Sequence, residues 1–311
     1  MSPALRWLAR KLALAVLVVL GAATVAFAAL HLAPGDPVRA VIGTLAPSDD
    51  LVAQVRADLD LDKPLATQYA HMLGGLARGD LGESYQLRRP VVEVIVADLG
   101  WTVQLAVASL LLALVVSTAL AVATAGRRPT LRRVSILLEL VTASSPTFWV
   151  GTILLAVLSF QLHLFPAAGA GGLEGLVLPA VTQAIGLVGI FTQVLRQSME
   201  QALDEPFALS ARARGTTETA LRLRHAARHA LIPVLTLSGW ILGALLSGAV
   251  VVETLFSRPG LGRTLVTAIL GRDLPVVIGV VVVAAALFTV INLVVDLLYR
   301  VVDPRLREWA A

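Results

Sequence analysis

Five arginines, Arg212, Arg214, Arg222, Arg224 and Arg228, stand in a stretch that otherwise carries helix-forming alanines. Ala208, Ala211, Ala213, Ala220, Ala226 and Ala227 favour helix. Gly215 followed by Thr216 offers a break between two short helices. Small residues along one face permit close docking into a partner groove, and arginines on the flanks can pair with acidic groups or with anionic lipid headgroups. The same arginines keep the stretch out of a bilayer, where each would cost ~2.5–3.5 kcal/mol at a helix centre.

Other reactive groups are sparse. The chain has no cysteine, which excludes a disulfide framework, a thiolate metal site and a cysteine nucleophile. His31, His71 and His163 are too dispersed for a metal-ligand spacing, so no metal site is expected. A P-loop needs Gly-x-x-x-x-Gly-Lys-Ser/Thr, and the only lysines, Lys11 and Lys63, are in no such setting. Arg196 with Glu200, and Asp296 with Arg300, are four residues apart and are expected to pair on helix surfaces. Glu253 ends an apolar run just before a glycine-rich stretch, where it can cap backbone amides or face a pathway.

The elements that must carry these residues are apolar. Of 311 residues 57% are hydrophobic and 15% charged, against about 25% charged in a soluble domain. A helix crosses the hydrocarbon layer with about 20 apolar residues. Leu12 to Gly35, Leu99 to Gly126, Gly175 to Leu195, Ala230 to Val252 and Leu274 to Val295 qualify, as does Val134 to Phe160, interrupted by Glu139. The fold expected is an all-α integral membrane protein with six transmembrane helices. Ala26-Phe27-Ala28 resembles a signal-peptide cleavage site, but the 19-residue apolar stretch from Leu12 to Leu30 exceeds the usual ~7–15-residue signal core, and a retained helix is expected. Pro146, with Phe148 and Trp149, predicts a kink in the third helix. Gln104, Gln183, Gln193 and Asn292 are expected to hydrogen-bond between helices.

Basic residues accumulate on the cytoplasmic side of short loops. With the N-terminus inside, 16 of the 25 basic residues fall on inner segments, among them Arg127, Arg128, Arg132 and Arg133. Both termini are therefore expected in the cytoplasm. A pI near 10.1 raises nucleic acid as a partner, but the arginines form short blocks between apolar runs, and none is expected. The boundaries expected are 1–31 for the N-terminus and first helix, 32–97 for an extracytoplasmic cap, 98–302 for the helical core with its inner loop 202–229, and 303–311 for a cytoplasmic tail. The cap carries nine carboxylates against six basic residues between Asp36 and Glu93. Turn signals (Pro34-Gly35-Asp36-Pro37, Pro47-Ser48-Asp49, Lys63-Pro64) bound short helices at Val52 to Asp58 and Leu65 to Leu76. Leu65, Tyr69, Met72, Leu73 and Leu76 recur there at helical spacing.

The wording of the inner loop goes further than its composition. Ser210-Ala211-Arg212-Ala213-Arg214-Gly215, then Arg224-His225-Ala226-Ala227-Arg228-His229-Ala230-Leu231-Ile232-Pro233, resembles the cytoplasmic "EAA" loop of binding-protein-dependent ABC permeases, in the form used by the dipeptide/oligopeptide/nickel importers. The glutamate that opens the loop in the wider family is absent here, its place taken by Leu209. Pro34-Gly35-Asp36-Pro37, Leu61-Asp62-Lys63-Pro64-Leu65, Gly79-Asp80-Leu81-Gly82, Pro146-Thr147-Phe148-Trp149-Val150-Gly151 and Leu164-Phe165-Pro166-Ala167 are similar to further signatures of that family. So are Val251-Val252-Glu253-Thr254 with Pro259-Gly260-Leu261-Gly262-Arg263, and Asp303-Pro304-Arg305-Leu306-Arg307.

The resemblance implies a type I ABC importer fold and a role as the first permease subunit of a heterodimer. Ala208, Ser210, Ala211, Arg212, Ala213, Arg214 and Gly215 would then form a coupling helix seated on an ATPase. His225, Arg228, Pro233, Glu253, Pro259, Gly260 and Gly262 would be permease-motif positions. The chain would be no enzyme and bind no cofactor. ATP and Mg2+ would sit on one or two ABC ATPase subunits, and an extracytoplasmic binding protein would deliver substrate across the inner membrane of a prokaryote. Peptide is the expected cargo, with nickel, haem or another small ligand as the alternative. A secondary transporter would need midplane ion-coupling groups on broken helices in inverted repeats, and no such repeat is visible.

Overall fold

The computed structural model describes residues 3–32, 35, 38, 42, 49–126, 129–168 and 172–302. The Asp303-to-Arg307 motif, Arg127, Arg128, the Pro47-Ser48 turn signal and all of the Pro34-to-Pro37 turn except Gly35 lie outside the described residues, as does the Arg300 side chain. Among the described residues there is no strand, only one isolated bridge between Glu83 and Pro90.

In order, the helices are α1 (Pro3–Leu32), α2 (Asp49–Asp58), α3 (Leu65–Ala77), α4 (Val91–Thr124), α5 (Pro129–Ser144), α6 (Thr147–Leu154) and α7 (Glu174–Leu203). They continue as α8 (Pro206–Ala213), α9 (Glu218–Leu221), α10 (Ala227–His229), α11 (Leu231–Leu255), α12 (Leu261–Leu270) and α13 (Leu274–Val302). Helices α1, α4, α7 and α13 are each long and apolar enough to cross a membrane unbroken. Two further spans exist if each of two bent pairs counts as one, which brings the total to six. The chain is thus an all-α, multi-pass membrane protein.

One of those pairs corrects the expectation for the third span. In place of a kinked helix over Val134 to Phe160, α5 and the Thr147–Gln161 segment meet at 101°. Pro146 has no N–H to continue the ladder and is extended, with φ −60° and ψ 132°. Its ring also disfavours the helical conformation for Ser145. Beyond it α6 runs into a π-helical turn, Leu155–Gln161. Gly151 lets this half approach its neighbours: a Cβ there would lie 2.6 Å from Leu255 Cδ2 and 3.1 Å from Thr182 Cγ2. Phe148 and Trp149 are exposed.

The chain divides into two compact units, Met1–Thr102 with Pro259–Thr289, and Val103–Arg258 with Val290–Ala311. In the first unit α2 and α3 form close to where the hydrophobic spacing predicts them. Met72 and Leu76 of α3 pack on Ala23 and Ala26 of α1 and on Ile278 and Val282 of α13. Thr24 Oγ1 lies 2.8 Å from the Tyr69 hydroxyl, and His31 bonds the Phe27 carbonyl oxygen at 2.8 Å and Gln68 Oε1 at 3.2 Å. Ala26 and Phe27, which resemble part of a cleavage site, belong to this packing. Leu65 is exposed and takes no part in it.

A carboxylate with no counterpart in the sequence reading anchors the loop between α3 and α4. Asp273, just before α13, is buried. Its Oδ2 accepts from Ser84 Oγ at 2.5 Å and from the Gln86 N–H at 3.2 Å, and its Oδ1 accepts from the Tyr85 N–H at 3.1 Å. Burial, and then the nearby Asp273 charge, push the Tyr85 phenol up to about 12.

In the second unit Ser109 Oγ donates to Gln183 Oε1 at 2.9 Å between α4 and α7, as expected of Gln183. Gln104 accepts from Arg258 Nη2 at 2.7 Å. Gln193 does not follow the expectation, because it lies on an exposed face of α7.

Candidate functional site

The candidate site is the run from α8 to the start of α11, in the second unit. Helix α8 begins at Pro206, which suits the first helical position because its missing N–H would have had no intrahelical partner. It ends in a Schellman turn. The Thr216 N–H reaches the Ala211 carbonyl at 3.1 Å, and the Gly215 N–H reaches Arg212 at 2.9 Å. Gly215 is left-handed at φ +80°, which accounts for glycine at this position; no atom lies within 4 Å of where a Cβ would be. Thr217 then caps the next helix, its Oγ1 accepting from the Ala220 N–H at 3.3 Å. Arg212 Nε clasps Glu218 Oε1 across the turn at 2.7 Å. The break expected at Gly215 is therefore a defined helix–turn–helix.

The clasp gives a pH expectation. The Arg212 hydrogen bond holds the Glu218 carboxyl below its usual 4.5, and Glu218 in turn raises Arg212. A lowered carboxylate pKa means the stabilisation is complete above the ordinary glutamate range and is lost as pH falls through the folded-state value. Backbone amides at Gly215 and Thr216 should exchange with solvent faster, after correction for intrinsic rates, as pH falls through that folded-state value. No change relative to Glu218→Gln at any pH would rule the clasp out.

The face with small residues points the other way from the expectation. Ala208 and Ala211 are fully buried within this chain. They pack with Leu195, Met199, Ala202 and Leu203 of α7, with Ala121 of α4 and Ala125 just after it, and with Leu221, Ala226 and Ala230. The face left open carries Leu209, 71% exposed, with Ser210, Arg212, Ala213, Arg214 and Gly215. The reason is packing: only a residue as small as alanine lets α8 lie against the end of α7.

Phe207 is a functional candidate that composition did not reveal. It is half-buried, its ring stacked at 5.2 Å and 8° on His229 and tilted at 6.4 Å to His225. It thereby ties α8 to the segment before α11. His225 and Arg228 are otherwise exposed. After Ala230 the chain turns by 58° into α11, where Pro233 in the first turn cannot donate back to the preceding segment.

The remaining motif positions fall outside the run from α8 to the start of α11. Glu253 is fully buried near the end of α11 and interacts with the buried Arg258, whose Nη1 donates to the Gly175 carbonyl at 3.3 Å. Glu253 thus sits in a packed interior, in keeping with a structural position. In the first unit, Pro259 and Gly260 precede α12 and Gly262 lies in its first turn, where the Leu261 N–H donates to Thr102 Oγ1 at 2.8 Å and Thr264 Oγ1 bonds Asp98.

The ion pairs also regroup. Arg196 does not pair with Glu200. Both its terminal nitrogens engage Glu139 of α5, Nη1 to Oε1 at 2.5 Å and Nη2 to Oε2 at 2.6 Å. Glu200 instead takes Arg132 at 3.2 Å. The i,i+4 rule considers only neighbours on one helix, whereas a facing helix offered Arg196 a bidentate carboxylate out of water.

Residues 113–308 match the family model described as binding-protein-dependent transport system inner membrane component, and residues 4–106 match the corresponding N-terminal model. A putative peptide transport system permease protein of Brucella abortus (strain 2308) is 36% identical over 307 residues, covering 96% of this chain and 98% of the relative. The dipeptide transport system permease protein DppB of Escherichia coli (strain K12) is 35% identical over 336 aligned residues, 98% and 99% of the two chains. The glutathione transport system permease protein GsiC of Salmonella choleraesuis (strain SC-B67) is 37% identical over 288 residues, 92% and 93%.

Proposed function

The chain belongs to the binding-protein-dependent transport system inner membrane components, and from that premise we propose that it forms half of the membrane pathway of an ATP-driven importer of short peptides. The observation that carries the mechanism is the join between α8 and α7. Because Ala208 and Ala211 share one core with Leu195, Met199, Ala202 and Leu203, a push on the open face of α8 is passed to α7, which is long enough to cross the membrane. Close-packed cores transmit such displacements with little give.

In this reading α8 lies on the cytoplasmic face and rests on an ABC ATPase subunit, where ATP and Mg2+ are bound. Both termini are cytoplasmic, and α2 and α3 belong to an extracytoplasmic cap. A second, similar permease completes the pathway, and a binding protein delivers peptide to the outer side of a prokaryotic inner membrane. Nucleotide state would bias two packings of the helices, each ligand acting only through its different affinity for the two. Peptide as cargo rests on the names of relatives that align along nearly the whole chain.

The test is reconstitution of the chain with a second permease, ATPases and a binding protein of the same transport system, in liposomes with ATP inside the compartment that α8 faces. Labelled di- and tripeptides should accumulate only with ATP and binding protein both present. Uptake of nickel or haem in place of peptide would overturn the cargo, and uptake independent of ATP would overturn the class.

A further inference from the structure

The Glu139–Arg196 pair is absent from every role assigned so far. Its side chains are 2% and 6% exposed, and Ser135 Oγ adds a third bond to Glu139 Oε1 at 2.5 Å. Removing two charges from water generally costs more than their attraction returns, so apolar residues of similar volume would hold two helices at least as well. Ionisable side chains within membrane-spanning segments therefore point to function.

The surroundings indicate which function. Arg196 sits on α7 one to two turns before Met199, Ala202 and Leu203, the residues that share a core with α8. Glu139 sits on α5 two turns before Pro146, where the span bends by 101°. Between these points α5 and α7 are locked in register. Arg132 meets Glu200 nearer the end of α7. On the other side, a Cβ on Gly189 would come within 2.5 Å of the Glu139 carbonyl oxygen, so the two backbones touch. A bidentate fork tolerates neither sliding nor rotation of one helix on the other.

We infer that Glu139 and Arg196 are positioning residues for transport: they hold α5 in register with α7, so that movement of α8 reaches the bend at Pro146. The inference rests on the permease reading above. It separates the pair's role in coupling from a role in folding, since apolar replacements preserve packing and remove only the fixed register.

Two variants of the reconstituted complex test it, Arg196→Lys, which keeps the charge but loses the fork, and the double variant Glu139→Leu/Arg196→Leu. The readouts are peptide imported per ATP hydrolysed and the thermal midpoint of the assembled complex. The expected result is a fall of tenfold or more in peptide per ATP in both variants, with the midpoint of the double variant at or above that of the wild type. An unchanged ratio in either variant overturns the proposal, as does a loss of uptake and hydrolysis in equal proportion. Failure of both variants to assemble also overturns it, because the pair would then be a folding requirement. Wild-type complex in the same assay keeps the two levels apart: without ATP-dependent uptake there, it is the permease reading that fails.

Discussion

Leu209→Asp should abolish ATP-driven uptake while leaving the chain folded. Leu209 is 71% exposed on α8, on the face opposite the buried Ala208 and Ala211. An exposed leucine flanked by Ser210 and Arg212 stabilises nothing within the chain, so its removal costs the fold little. If the open face seats on an ATPase subunit, burying the whole side chain contributes about 1.5–3 kcal/mol, and an aspartate there adds a desolvation cost. Since 1.4 kcal/mol is a factor of ten in affinity, ATPase binding should weaken by roughly two orders of magnitude. Retention of the ATPase on purified variant and wild type at graded concentration measures this directly. Ala208→Leu is the contrasting control: it overfills a core with no exposed surface and should reduce folded protein instead. Normal ATPase retention by Leu209→Asp would mean the open face of α8 is not the docking surface.

That contrast shows where the sequence stops being legible. The wording around Gly215 located the segment, and alanine content with a glycine break gave its helix–turn–helix form. Which face turned inward was not readable, because alanine suits a close contact with a partner as well as with the same chain. The decision lay with Leu195, Met199 and Leu203, residues on another helix. Arg196 repeats the lesson: its spacing to Glu200 satisfied a local rule, but Glu139, fifty-seven residues away, offered a buried bidentate partner. Pro146 is intermediate. Loss of the N–H is a local property, so the place of the break was predictable, whereas the 101° angle depends on what α6 packs against. The apolar runs were the most legible feature, since span length follows from membrane thickness alone.

Asp273 was invisible for the same reason, and it supports the second large effect. A lone aspartate in the turn before a helix has no motif, yet its buried carboxylate gathers the Ser84 hydroxyl and the Tyr85 and Gln86 amides, nearly 190 residues earlier in the chain. Hydrogen bonds to a charged acceptor contribute about 1.5–3 kcal/mol each, and a buried donor left without a partner costs about 1–3 kcal/mol. Asp273→Ala therefore should release the loop between α3 and α4 by about 3 kcal/mol or more, allowing for water replacing some of the bonds. The loop contains its own reporter, since Arg88 and Arg89 are exposed and adjacent. Trypsin cuts the opened form, so cleavage between Arg88 and Arg89 should quicken by about two orders of magnitude when opening is fast relative to cleavage. Asp273→Asn keeps one acceptor oxygen and loses the charge, and should fall between the two. Uptake should decline with the loop only if this segment takes part in receiving substrate, so comparing cleavage with transport across the three proteins separates anchoring from delivery. Cleavage of Asp273→Ala at the wild-type rate would show that the loop is held by its packing and not by this carboxylate.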